Sequence, residues 1–512
     1  MTKNFYITTP IYYVNDAPHI GHAYTTIACD VIARFMKLDG YDVKFLTGTD
    51  EHGQKVEQSA GKMGLDPQTF TDQVSQKFRD LADDLNCAHN DFIRTTEGRH
   101  KKAAQDLWKR LEANGQIYLG HYDGWYAVRD EAFYAESELV DGKAPTGAPV
   151  EWVEEPSYFF KLSEWQEPLL KFYEDNPDFI APTGRRNEVI SFVKGGLKDL
   201  SVSRTTFKWG VPVPGNPDHI MYVWLDALTN YMTAVGFPDE NSDEYKKYWP
   251  ADIHMVGKDI LRFHAVYWPA FLLAAGLTPP KKIYAHGWWT NEGQKISKSL
   301  GNAINPYDLI NEYGLDQMRY FMVREVPFGN DGNFSHTSMI NRINSELAND
   351  LGNLAQRSLS MVFKNCEGKI PESGDLQKDD LALLNAAKDV LPKLRNFIGK
   401  DQALHKGCEA IWSVVGAANK YVDTQAPWGL KKTDPKRMET VLYTLTETIR
   451  ILALYVQPIM PESASKLLDQ LKVPESDRTF DALEKSVVGG TPLDKPEPVF
   501  PRYIKEENNV SR

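Results

Sequence analysis

Cysteine is scarce in this chain: Cys29, Cys87, Cys366 and Cys408 are the only four among 512 residues, and no two lie close together. That excludes a disulfide framework and a Cys-x-x-Cys metal knuckle. No run of 18 apolar residues occurs, which excludes a membrane-spanning helix. Basic residues are outnumbered, 58 against 70 acidic for a net charge of −12, which excludes a protein that holds nucleic acid by bulk charge. A local basic face for one RNA stays open. Low-complexity tracts and internal repeats are absent. The opening MTKNFYITTPIYYVN has neither an apolar signal core nor an Arg-rich amphipathic character, so a cytoplasmic location is expected. What remains, 42% hydrophobic and 25% charged residues, is ordinary globular composition over a length that calls for about three domains.

Residues 5–9 (FYITT) read as a short strand, and a helix is expected to begin near Pro18–His22. Ile20, Ile27, Val31, Phe35 and Leu38 fall on one helical face, and Gly40 ends it. A second strand follows at 42–47, which makes a βαβ unit with a parallel pair. Residues 116–214 change texture, with short aromatic stretches between turns, as expected of a small α/β domain spliced into the first. The α/β pattern resumes at 221–232, 252–257 and 282–289. Beyond Ser335 it is helix after helix, which implies an antiparallel bundle. The predicted architecture is therefore α/β: a Rossmann-like parallel-sheet domain, 1–115 and 215–335, with the insertion 116–214, followed by an all-α bundle and tail, 336–512.

Two short segments carry concentrated chemistry. His19-Ile20-Gly21-His22 stands where the first strand's loop meets the first helix, the end of a parallel sheet at which ligands bind. A helix start offers N–H groups and partial positive charge to phosphate, and two histidines three apart share a face. The same tetrapeptide is compatible with two ordinary capping residues, and a metal shared by the pair lacks a third ligand. Far downstream, Lys295-Ile296-Ser297-Lys298-Ser299 lies between Gly293 and Gly301, a loop whose two lysines are suited to neutralising a leaving pyrophosphate. Alone, such a pentapeptide is more often a solvated loop.

Together, in this order, the two segments resemble the HIGH and KMSKS signatures of class I aminoacyl-tRNA synthetases, with Ile at the second place of the latter. TPIYYVNDAPHIGH, TGTDEHG, YVWLDALTNY, GKDILRFHAVYWPA and NLAQR resemble the methionyl-tRNA synthetase family in particular. The resemblance implies activation of L-methionine with ATP to methionyl-adenylate, then transfer to the terminal adenosine of tRNA(Met), initiator tRNA included. It implies His19, Gly21 and His22 on ATP, Lys298 with Lys295 and Ser299 on the departing pyrophosphate, Mg²⁺ arriving with ATP, and Asp259 on the ribose. Arg204 is a further candidate for a phosphate contact.

For the amino acid, Tyr13, Trp224, Tyr231, His264 and Trp268 supply rings, and Ile11, Val223, Ala227, Leu228 and Ile260 supply aliphatic walls. A thioether packs well against aromatic edges, at ~0.3–1.5 kcal/mol per contact. Asp50, ending the second strand, is suited to a substrate ammonium. By resemblance Ile11 and Asp50 contact methionine, Tyr13 and Trp224 move as it binds, and His264 and Trp268 close the pocket.

Many family members carry a zinc knuckle in the insertion. The matching stretches here, Tyr126–Asp130 and Ala144–Gly147, hold no thiolate, so no structural zinc is expected. Asn353, Arg357 and Trp428 match the family's anticodon readers, with Lys420, Lys431, Lys432, Lys436 and Arg437 nearby as candidate phosphate contacts. No oligonucleotide-binding extension follows the bundle, so a monomer is expected. The rival readings are a small-molecule adenylyltransferase with an HxGH site and a tRNA-binding paralogue without chemistry.

Overall fold

The computed structural model describes residues 3–14, 17–130, 132–134, 136–296 and 302–504. Contacts divide the chain into two compact units that interleave in sequence: residues 4–18 with 43–286, and residues 1–3 and 19–42 with 287–512.

The first unit is built on a seven-stranded sheet. Its strands run in the order Tyr12–Tyr13, Asp42–Asp50, Asn4–Thr8, Ile253–Gly257, Ile283–His286 and Ile180–Ala181, with Asp91–Arg94 also paired to Asp42–Asp50. The central pairings are parallel, Ile7 opposite Ile253 and His254 opposite Ile283. Strands buried on both faces need continuous apolar or small residues, and Phe5, Tyr6, Ile7, Met255, Val256 and Ile283 supply them. One edge strand, Ile180–Ala181, comes from within the segment read as the insertion. Most of that segment forms an antiparallel sheet of Ala132–Tyr134, Ile117–Ala127, Glu151–Phe160 and Leu200–Ser201, with helices Gln166–Asp175 and Thr183–Lys194, while Ser203–Arg204 and Pro212–Val213 pair with Asn216–Met221. The stretch YVWLDALTNY is not a strand. The strand ends at Met221, and short helices Val223–Leu228 and Asn230–Thr233 follow.

The second unit gathers the helix Ile20–Leu38 with the C-terminal helices. Asp30 and Arg319, both fully buried, pair at 2.6 Å, and Arg319 also donates to the carbonyls of Pro458 and Ile459. Phe35 meets Phe480 at 5.1 Å between ring centres. Helices Asn353–Asn365, Leu404–Gln425 and Pro435–Val456 are long elements of the bundle. Arg437 is buried and grips Asp380 with two bonds of 2.5 and 2.7 Å, so this expected phosphate contact is a structural ion pair. Lys420, Lys431, Lys432 and Lys436 are exposed.

Candidate functional site

At the start of the helix Ile20–Leu38, the two histidines cap each other. The His19 ring accepts the Gly21 N–H through Nδ1 at 3.0 Å, and the His22 ring accepts the His19 N–H through Nδ1 at 3.0 Å. An Nδ1 that accepts has no proton, so both neutral rings carry theirs on Nε2, a donor position. The rings lie 3.9 Å apart, and burial, with His19 beside it, holds the His22 imidazole well below its ordinary range. Gly21 is required for a reason the sequence does not reveal: a Cβ there would meet the His19 ring at 2.9 Å. The capping and phosphate-binding readings are therefore compatible, because the cap orients the donors.

The downstream segment is anchored to the same helix. Gln294–Lys295 pairs antiparallel with Trp289–Asn291 through a tight turn at Glu292 (φ 47°) and Gly293 (φ 80°). Gly293 thus makes a turn, where the sequence suggested only mobility. Asn302 donates to the Lys295 carbonyl at 3.1 Å, and Asn291 donates to the Asn302 carbonyl at 2.9 Å. The Ile20 N–H, within the first motif, donates to the Ile304 carbonyl at 3.2 Å, and Tyr24 meets Trp289 edge-on at 5.4 Å. Lys295 is exposed and stands 5.6 Å from the Trp288 ring centre. Ser297, Lys298 and Ser299 lie outside the described residues.

In the other unit, an aromatic nest follows from Val223–Leu228 and a π-helical turn at Phe263–Tyr267, a geometry frequent at functional sites. Trp224 stacks on Phe263 at 3.7 Å. The Tyr231 hydroxyl bonds His264 Nε2 at 2.6 Å, and His264 Nδ1 lies 3.0 Å from the Ile260 carbonyl. That carbonyl fixes the proton on Nδ1 and makes Nε2 the acceptor. Burial holds the His264 imidazole down to about 4, so it stays neutral. Tyr231 also stacks on His254 at 4.0 Å. Ile11, Trp224, Leu228, Tyr231, Ile260 and Trp268 share one hydrophobic cluster, and Ala227 is buried. Val223 packs elsewhere, with Tyr126, Phe207, Ile220 and Tyr222. Tyr13 packs against a third cluster around Tyr12 and Val14, with Lys55 over its ring, and sits opposite Asp50 in the sheet register. Asp50 itself is buried at the end of its strand.

Asp259 is exposed just past the strand Ile253–Gly257, where a Cβ on Gly257 would meet its Oδ1 at 2.5 Å. Arg204 is 2% exposed, lies 3.7 Å from the Tyr222 ring centre and is 3.5 Å from Glu155, a buried setting remote from a solvent-facing phosphate contact. Around Asp130, Tyr134 donates at 3.2 Å, Arg129 donates at 3.2 Å and Thr146 also donates, while Ala127, Ala144 and Ala148 form a small core. Among the described residues, no three His, Cys, Asp or Glu gather as metal ligands, and no helix is long and apolar enough to cross a membrane.

In the bundle, Asn353 is exposed at a helix start. One turn on, Arg357 donates to Asp423 at 3.2 Å and Asn419 at 3.3 Å. The helix that carries Asn419 and Asp423, Leu404–Gln425, ends at Gln425. Ala426, with φ 44°, turns the chain into Pro427–Thr433, which leaves Trp428 55% exposed and able to stack.

Two family models cover most of this chain. The one described as tRNA synthetases class I (M) matches residues 5–149 and 138–359, and the one for the anticodon binding domain of methionyl tRNA ligase matches 370–511. The chain belongs to the methionyl-tRNA synthetase family. It is 58% identical to the methionine–tRNA ligase of Rickettsia felis over 98% of this chain and 99% of that one. It is 57% identical to that of Brucella suis biovar 1 over 99% of each. Among solved structures it resembles Mycobacterium tuberculosis methionyl-tRNA synthetase in complex with methionyl-adenylate, with a TM-score of 0.96 and 54% identity over 98% of this chain and all of that one. The free form of the same enzyme gives 0.90 and 51%, over 98% and 99%. The methionyl-tRNA synthetase match through the helical region leaves no place for a small-molecule adenylyltransferase.

Sequence reasoning missed Trp288 beside Lys295, the two asparagines that fasten the downstream hairpin, and the buried partners of the TDEHG segment. Trp288 and the asparagines act across one short hairpin, whereas the partners of the TDEHG segment appear only when distant segments meet.

Proposed function

We propose that the chain activates L-methionine with ATP, releasing pyrophosphate, and then esterifies tRNA(Met), initiator tRNA included. The reaction needs little proton chemistry, so positioning and charge stabilisation carry it. The methionine carboxylate attacks the α-phosphate. The Nε2–H donors of His19 and His22 and the helix start stabilise charge on the phosphates, and Gly21 keeps His19 in place for this. Lys298, with Lys295, neutralises the departing pyrophosphate, and the Ser299 hydroxyl donates to the phosphates. Mg²⁺ arrives as part of the ATP substrate. Asp259 holds the ribose.

Asp50 takes the methionine ammonium. Ile11, Trp224, Ala227, Leu228, Tyr231, Ile260, His264 and Trp268 surround its side chain, with Tyr13 and Val223 at the margin. A neutral His264 suits a thioether, because a charged ring would bring a desolvation penalty into the pocket. Asn353, Arg357 and Trp428 read the anticodon. Functionally the chain divides as 1–115 and 215–335 for chemistry, 116–214 as a connective insertion and 336–512 for tRNA. It acts as a cytoplasmic monomer, and its knuckle needs no zinc, since Asp130 and the alanine core take over the bracing.

The observation that carries this proposal is the bond from Ile20 to Ile304, which ties the start of the histidine helix to the segment just beyond the lysine loop. The test is ATP–pyrophosphate exchange across the amino acids. Exchange that depends on methionine is expected, and exchange with another amino acid alone would overturn the proposal. One stoichiometric zinc by elemental analysis would overturn the metal-free knuckle.

A further inference from the structure

Among the buried titratable groups the mechanism does not use are a carboxylate and two histidines. Asp226, 1% exposed, sits in the helix Val223–Leu228, two residues after Trp224. Its two carboxylate oxygens are divided between two histidines. His52 Nδ1 lies 2.6 Å from Oδ2, and His100 Nε2 lies 2.7 Å from Oδ1. His52 stands two residues after Asp50, and His100 belongs to the helix Gly98–Ala113. Burial alone would push the Asp226 carboxyl up. The neighbouring His52 and the two imidazole bonds outweigh it and hold the carboxyl far below its usual range, so a carboxylate faces both rings. The other nitrogen of His52, Nε2, is buried and makes no hydrogen bond among the described residues. The hydrogen bonding of this ring is thus committed to Asp226.

The opposite side of the TDEHG segment is fastened as firmly. Glu51 is fully buried, receives Arg94 through two bonds of 2.7 and 3.0 Å, and accepts from Thr49 and Thr96. Trp209 donates to the Glu51 carbonyl at 2.6 Å, and Gly53 donates back to the Trp209 carbonyl at 3.0 Å. The segment beside Asp50 is therefore rigid, and Asp226 is its direct tie to the helix that carries Trp224. A buried carboxylate that accepts two imidazole N–H bonds resists shear, because losing either partner strands a charge away from water.

We infer that Asp226, clamped between His52 and His100, is a positioning residue that fixes the spacing between Asp50 and Trp224 and so sets the length of amino acid the enzyme accepts, an inference resting on the assignment of those two residues to the methionine ammonium and side chain. Neither Asp226 nor the two histidines touches substrate. Their effect is geometric: one end of the amino acid is held by a strand terminus and the other by a short helix, and the clamp makes these one frame.

The experiment measures exchange kinetics of the full chain with methionine and with ethionine, which is one methylene longer. Asp226→Asn is expected to raise the Michaelis constant for methionine roughly tenfold and leave kcat and the constant for ATP within about twofold. It is also expected to lower the methionine-over-ethionine ratio of kcat/KM by roughly fivefold, part of the ~10–200-fold that a single methylene commands in a fitted pocket. His52→Ala is expected to behave likewise, and His52→Asn, which restores a donor near the Nδ1 position, to recover most of the loss. These two variants keep the test valid if Asp226→Asn does not fold. An unchanged ratio in the folded variants overturns the clamp, as does equal loss in kcat and both Michaelis constants. So does a His52→Asn variant as impaired as His52→Ala, since packing rather than a donated bond would then be at work. If Asp50→Asn itself leaves the methionine constant unchanged, the underlying pocket assignment falls and the clamp falls with it. If Asp50→Asn raises that constant while Asp226→Asn and His52→Ala do not, the clamp alone falls.

Discussion

The proposed phosphate end and the proposed amino-acid end of this enzyme are assembled in opposite ways. The histidine cap is local: donor, acceptor and required glycine all fall within residues 19–22, and a single helix start orients them. The proposed amino-acid pocket is assembled from afar. Residues 11, 50, 224, 231, 260, 264 and 268 come from several elements, and their polar atoms are fixed by one another, as in the Tyr231–His264–Ile260 chain. Local assembly puts function in a short motif that tolerates little change. Dispersed assembly spreads it over many side chains, each worth less, and over supports such as the proposed Asp226 clamp.

That contrast orders the expected effects. The largest belongs to the cap. His19→Ala should lower the rate of exchange by roughly 10²–10³-fold, the usual cost of removing a donor aimed at developing charge, and should cost only ~1 kcal/mol of stability for the lost cap. A stability loss without a rate loss would reduce His19 to a capping residue. Next is the pH response of the dispersed pocket. The His264 imidazole sits at about 4 in the fold against its ordinary 6.5, so the unfolded chain takes up the proton first. Stability should therefore fall as pH drops below about 6.5 and level off below about 4, by roughly 3 kcal/mol from this group. Burial pushes His254 in the same direction. Chemical denaturation of wild type and His264→Gln at pH 7 and pH 4.5 checks this, and equal slopes for the two would contradict it.

A smaller effect comes from Asp50→Asn, which should raise the methionine Michaelis constant by roughly 10–100-fold, the ~1.5–3 kcal/mol of a bond to a charged group. The constant for ATP should stay unchanged. The smallest lies in the bundle. Trp428→Ala should cost ~1–3 kcal/mol in kcat/KM for tRNA, the value of one stacked base. Exchange without tRNA should be untouched, and equal damage to both would merge two functions that are kept apart here.

Legibility in the sequence followed the same division. The histidine helix, its apolar face and the helical C-terminal region were readable, because period and composition report local structure directly. The two motifs gained meaning only from their resemblance to a family, since neither tetrapeptide nor pentapeptide shows that Ile20 will bond Ile304. Arg437 was misread for a physical reason. In sequence it joins a solvated charge run, yet the ~100° step between adjacent helical residues turns it inward to Asp380, while Lys436 beside it stays exposed. His52 and His100 were invisible as partners because the carboxylate that joins them lies far along the chain.

The central claim is that the histidine cap and the lysine loop act on one triphosphate. The most direct measurement is a double-mutant cycle in single-turnover adenylate formation with His19→Ala, Lys298→Ala and the pair. Groups that share a ligand should couple by roughly 0.5–3 kcal/mol, so the double variant should differ from the product of the single losses by about twofold or more. Rates that multiply without coupling would contradict the account.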